Sequence, residues 1–259
     1  MNSRPEKVLV KQIVLPLLVL LLAMIVWWVL ALKKVYPESA FPTPSQVFDG
    51  FMEEGKRGRL FDDIIASLFR VSSGFLLATG LGIPLGLLLG LRLHARYALL
   101  PAVNFLRNLS PLAWIPFAIL WFGIGDAPAV FLIFMASFPP IILTTMVAVA
   151  HIPEVYFKVA RDYSMKGMEL LTQVIIPAIL PQILTALRVT AGLAWVVVVA
   201  AELIAGRDGL GFLIWDARNA LRPDLVVVGM VIIGAFGVLT DRLLAQLTRI
   251  PSVRWSYER

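Results

Sequence analysis

Apolar residues gather in six long blocks, at roughly 13–32, 64–91, 98–122, 128–150, 175–203 and 225–248. A helix needs about 20 such residues to cross a bilayer. The pattern therefore predicts an all-α integral membrane protein with six transmembrane helices. Ile13–Leu32 carries no charge and follows Arg4, Lys7 and Lys11. It is too long for a signal-peptide core, and Lys33-Lys34 follows where a small-residue cleavage site would stand, so a retained first helix is expected. Four regions result: an N-terminal tail with the first helix (1–40), an outer connection (41–63), a core membrane domain (64–248) with an inner connection at 151–174, and a tail (249–259). In the outer connection, Phe41-Pro-Thr-Pro-Ser-Gln46 predicts a turn and then a surface helix from about Pro44 to Glu54. Thr43 is its N-cap, Pro44 its first residue and Gln46 completes a capping box.

Composition narrows the class. The chain is 59% hydrophobic and 15% charged, with mean hydropathy +0.84. Soluble domains are nearer 45–50% and 25%, so a soluble enzyme and a disordered chain are both excluded. The net charge of +6 comes without any basic run, which argues for membrane orientation and against nucleic acid. Placing the N-terminus inside makes the connections alternate. Twelve of the 23 Lys and Arg then fall inside, eight outside, and Arg70, Arg107 and Arg188 within spans. The expected topology has both termini cytoplasmic, although Lys33-Lys34 weighs against it. There is no cysteine, and His94 and His151 are not at metal-ligand spacing, so no metal site is expected.

The spans hold unusual residues. Gly82, Gly86 and Gly90 are spaced at GxxxG intervals, which bring helices close, either within the chain or between subunits. Eight prolines lie in spans (84, 101, 111, 116, 139, 140, 177 and 181), each removing a backbone donor. Such bends suit a transporter, where a cavity or neighbour satisfies the freed carbonyls. Arg70, close to the outer end of its span, is expected to snorkel. Asn104 and Arg107 lie in the polar stretch Asn104-Phe-Leu-Arg-Asn-Leu-Ser110 and are expected to face protein or water. Arg188, Trp195 and Glu202 recur every seven residues and share a helix face. That face reads as an interior one lining a translocation path, or as structural pairing. No HExxH, GxSxG or P-loop is present, so no catalytic residue is expected.

The inner connection reads Ile152-Pro-Glu-Val-Tyr-Phe-Lys-Val-Ala-Arg-Asp-Tyr-Ser-Met-Lys-Gly167 and continues to Val174-Ile-Ile-Pro177. It resembles the EAA loop of ABC-importer permeases, E-A-A, three residues, G, nine residues, I-x-L-P. Lys158-Val159-Ala160 stands at the EAA position and Ser164 at the glycine, so Lys158 and Ser164 depart from the pattern. Leu109-Ser-Pro-Leu-Ala-Trp-Ile-Pro116, Trp121-Phe-Gly-Ile-Gly125, Gly192-Leu-Ala-Trp195 and Ala201-Glu-Leu-Ile-Ala205 followed by Gly209-Leu-Gly-Phe212 are similar to the nitrate/sulfonate/taurine/bicarbonate permeases. The stretch from Gly211 to Asn219 leans toward the nitrate and bicarbonate branch. The resemblance spans about residues 41–248 in order.

It implies a type I importer bundle (MetI-like) in the bacterial plasma membrane, forming a homodimer. Two ABC ATPase subunits would bind on the cytoplasmic side, carrying the ATP and Mg, while this chain binds no cofactor and is not itself an enzyme. An extracytoplasmic substrate-binding protein would deliver a small anion. Tyr156, Phe157, Lys158, Val159, Ala160, Arg161, Ser164 and Gly167 would form the coupling loop, apolar residues giving contact area and charged ones a rim. Two other classes are weighed: an ion-gradient-driven secondary transporter, which would need coupling carboxylates, and an intramembrane enzyme, which would need a nucleophile and base.

Overall fold

The computed structural model describes residues 5–33, 37 and 40–248, with side chains from residue 14 onward. Arg4, Lys34 and the 249–259 tail lie outside the described residues. Helices dominate, and no strand occurs among the described residues. The chain divides into two compact units. One comprises residues up to 61 together with 213–230. The other comprises 62–212 together with 231 onward.

In the first unit, α1 (Pro5–Leu32) is apolar from Ile13 onward, and none of its residues 14–32 is fully buried, although Trp27 is partly covered and donates to the Pro42 carbonyl at 3.0 Å. The capping box forms as the sequence predicts. The Gln46 amide donates to the Thr43 hydroxyl at 3.3 Å, and the Thr43 amide donates to Gln46 Oε1 at 2.8 Å. The helix it starts, α2 (Pro44–Arg57), runs one turn past the expected end to Gly58, whose φ of +79° supplies a left-handed cap. Arg222 ties α2 to the segment before α11 (Pro223–Leu247), donating to Glu53 at 2.9 Å and Asp224 at 2.6 Å. That guanidinium holds the Glu53 carboxyl below its ordinary range, the hydrogen bond being the largest cause.

The second unit is built on α3 (Arg59–Leu91), α6 (Asp126–Ala150) and α9 (Ile176–Ala205). Small residues of α3 recur every fourth position against α6. A Cβ at Gly74 would stand 2.7 Å from Ile133, at Gly82 3.0 Å from Ile141, at Gly86 2.5 Å from Thr145 and at Gly90 2.6 Å from Val149. Side chains larger than hydrogen are thus excluded at Gly74, Gly86 and Gly90 and are tight at Gly82, and the GxxxG face packs within the chain. Sequence numbers rise together along both helices, so α3 and α6 run parallel. The segment between them must return the chain to its starting side.

That return is not one continuous helix over the apolar block at 98–122. It is α4 (Leu93–Asn108), then a 3₁₀ turn (Pro111–Trp114) continuing into α5 (Ile115–Phe122), with an 89° bend between the two parts. Leu109 and Ser110 adopt extended backbone at ψ 130° and 126°. The cause is local, because Pro111 disfavours helical geometry in the residue before it. Five helices are long and apolar enough to span, six if the bent pair counts as one.

The connection after α6 holds α7 (Glu154–Asp162), a short α8 (Gly167–Leu170) and a π-helical turn (Leu171–Ile175) that leads into α9. Pro177 lacks the amide that would close an ordinary turn here. The remaining helix, α10 (Leu210–Asn219), follows the loop after α9.

Candidate functional site

Three assemblies stand out in the second unit. The first is built on Arg70. It does not snorkel: the residue is 1% exposed, and its side chain binds three segments of the chain at once. Nε donates to Asp126 at 2.7 Å, and Nη1 donates to Glu202 Oε1 and to the Asp208 carbonyl, each at 2.8 Å. Nη2 pairs with both Asp126 and Asp208. Glu202 also accepts from the Ser67 hydroxyl at 2.8 Å and the Gly211 amide at 2.8 Å. Asp63 accepts from the Gly209 amide, and Ser67 from the Leu210 amide. Gly209 takes φ +103°, and a Cβ there would lie 2.5 Å from the Glu202 carboxylate. The motif Gly209-Leu-Gly-Phe212 is thus the backbone cradle of a buried ion cluster.

This arrangement corrects the expectation that Arg70 snorkels. Glu202 is 1% exposed and its oxygens are taken up by protein donors, the structural pairing that the sequence left open for its helix face. Arg70 is buried because burial with several partners is tolerable, whereas an isolated buried guanidinium is not. The signal available in the sequence was Glu202, a lone carboxylate near the end of an apolar helix that needed a cation.

The second assembly joins α9 to α11. Arg188 donates to both oxygens of Asp241, at 2.8 and 2.9 Å. Two turns on, Trp195 donates to the Thr240 hydroxyl at 3.1 Å and stacks on Phe236 with centroids 6.0 Å apart. Trp195 is buried as well. The heptad stripe is real as a face, but its members meet α11 and α3 side chains. Asn104 is half-buried, its carbonyl accepting from the Asn108 amide nitrogen, and Arg107 is exposed rather than buried.

The third assembly is the connection itself. Ala160 is buried, and Phe157 packs against the core that includes Ile175 and Ile179. Val155, Tyr156, Val159 and Tyr163 are exposed and line an apolar groove of about 540 Å³ beside Val174 and Pro177. Lys158, Arg161 and Gly167 are exposed too, and Lys158 pairs with Glu154 at 3.5 Å. Ser164, at the position where the EAA pattern has glycine, adopts φ +58°, and Gly167 adopts φ +55°. Left-handed backbone explains why glycine suits that position. Among the described residues no group of three or more His, Asp or Glu is placed to hold a metal ion.

Several apolar membrane helices, interrupted by prolines and polar assemblies, define a multi-span membrane protein of transport type. The chain belongs to the binding-protein-dependent transport system inner membrane component family, whose model matches residues 82–250. A putative ABC transporter permease of Methanocaldococcus jannaschii is 38% identical over 243 residues, 91% of this chain and 90% of that protein. The bicarbonate transport system permease CmpB of Synechococcus elongatus is 37% identical, covering 92% of this chain and 88% of that one. The taurine transport system permease TauC of Escherichia coli is 33% identical, covering 92% and 89%. Other relatives are named for nitrate import and aliphatic sulfonate transport. The fold is that of the membrane chain in the inward-facing MetNI methionine ABC transporter, with TM-score 0.61 and 19% identity over 75% of this chain and 99% of that one. This membership does not favour the gradient-driven alternative.

Proposed function

We propose that this chain is the permease subunit of an ATP-driven importer for a small anion of the nitrate, bicarbonate, sulfonate or taurine class. The observation that carries the reading is α7. It is a short helix held to the bundle by Phe157 and Ala160, with Val155, Tyr156, Val159 and Tyr163 turned outward inside a charged rim. Such a face suits a partner protein better than water or lipid. Two ABC ATPase subunits would seat it from the cytoplasm and bring the ATP and Mg. Two copies of this chain would form the membrane part, and an extracytoplasmic binding protein would supply solute.

The mechanism follows from the attachment. Closure of the ATPase pair would displace α7. Phe157 and Ala160 would transmit the push to the base of α9, and the left-handed residues Ser164 and Gly167 would absorb the change of direction. Both termini would then lie on the ATPase side, in keeping with the excess of Lys and Arg there. Of the residues expected along the path, Asn104 and Arg107 keep that assignment. Arg188 would act beside it through Asp241.

The test is native mass spectrometry and liposome uptake with the complex purified from its host. Two copies of this chain with two ATPases, and uptake that requires ATP, are expected. Deleting 156–167 should abolish ATPase binding or uncouple hydrolysis from uptake. ATP-independent uptake by this chain alone would overturn the reading.

A further inference from the structure

Between α6 and α9 lies an open cavity of about 510 Å³, with Pro140, Thr144, Val147, Pro181, Gln182 and Thr185 among its lining. We propose that this cavity is the station at which the travelling anion is held inside the membrane domain, bound by neutral donors rather than by arginine. The inference rests on the importer reading and assigns the solute contact within it.

Gln182 is exposed, Thr144 is half-buried, and neither side chain hydrogen-bonds another described residue. Both sit about two helical turns inside the ends of their helices that adjoin the 151–175 connection. Free amide and hydroxyl groups are costly against hydrocarbon. A water-filled cavity relieves that cost, and so does a polar solute. Gln182 offers two N–H donors and Thr144 one O–H donor, all usable by an oxoanion. The Thr185 hydroxyl is directed to the Pro181 carbonyl at 3.1 Å. Pro140 and Pro181 withhold the amides that would have bonded the carbonyls one turn earlier, which loosens both helices at the cavity.

Charge explains why arginine is the poorer candidate. Arg188 spends Nε and Nη2 on Asp241, a bidentate pairing that already neutralises it. A desolvated free guanidinium would also hold an anion too firmly. A transported solute must bind well enough to enter and weakly enough to leave, and neutral donors meet that condition.

The chain has no cysteine, so single cysteines can be read in the assembled transporter without background from this subunit. The expected result has two parts. Gln182→Cys and Thr144→Cys react with an anionic, water-soluble methanethiosulfonate, and millimolar nitrate, bicarbonate or taurine slows that reaction at least threefold. A control at an exposed apolar position of α1, Leu20→Cys, does not react. Gln182→Leu and Thr144→Val lower ATP-driven uptake about tenfold while assembly and ATPase activity persist. No labelling at either position overturns the proposal, as does labelling that none of the three anions slows. Labelling in the free chain but not in the complex would mean that a second copy covers the cavity, and it too overturns the proposal. Unchanged uptake in both variants overturns it while leaving the importer reading intact. Absence of ATP-driven uptake by the wild-type complex strikes the importer reading instead, and the labelling of the cavity is read independently of it.

Discussion

Single residues carry much of the stability of the second unit. Arg70 compensates a buried carboxylate, and removing one partner of such a pair costs about 3–5 kcal/mol because the other charge is stranded. Arg70→Ala is therefore expected to lower thermal stability in detergent by that order or to prevent accumulation. Ser67→Ala, which removes a hydroxyl between Glu202 and the Leu210 amide, should cost about 1–3 kcal/mol. Ser164 tests backbone strain. With φ +58°, Ser164→Gly should raise the unfolding temperature, the gain being about 1 kcal/mol, whereas Ser164→Val should lower it. Thermal unfolding followed by tryptophan fluorescence reads all of these. The partners of Arg70 were not legible in the sequence. They come from positions 56 to 138 residues away, and no periodicity joins them.

Packing between helices is decided at the scale of elements. The α3–α6 seam depends on the absence of side chains at Gly74, Gly82, Gly86 and Gly90. Gly86→Val places methyls where Thr145 already stands, and a loss of 2 kcal/mol or more is expected, read as lost folded protein in size-exclusion profiles. Gly80→Ala, with nothing within 4 Å, is the matched control and should be neutral or slightly stabilising. The tie between α2 and Arg222 makes a pH prediction. The folded Glu53 carboxyl titrates below its unfolded value, so its contribution is present above the ordinary carboxylate range and is lost as pH falls through the folded pKa. The stability difference between wild type and Glu53→Gln should thus favour wild type at pH 7 and vanish in acid titration. The GxxxG spacing was legible because it is local. Its partner was not, since the same motif serves contacts within and between subunits equally well.

At the scale of the whole molecule, the parallel run of α3 and α6 requires the bent α4–α5 segment to carry the chain back, which sets the alternation of sides. In the proposed orientation, a cysteine at Lys158 should label only from the cytoplasmic face of sealed cells or inverted vesicles, and a cysteine at Arg207 only from the outer face. Labelling of both from one side would break the proposed topology. The resemblance to importer permeases was legible as motifs in order. The 89° break was also signalled in principle, by the proline at 111, but a run of apolar residues hides a bend because hydropathy reports solvent, not direction.

By itself the sequence determined the membrane class, the approximate places of the apolar helices, the capped outer helix and the family. Each of these follows from local composition, spacing or motif. Tertiary structure alone decided that Arg70 is buried rather than snorkelling, that Glu202 and Trp195 face protein, and that Arg188 is neutralised by Asp241. The physical reason is common to all three. A polar side chain within a span must find a partner, and which partner it finds depends on helices brought together from distant parts of the chain.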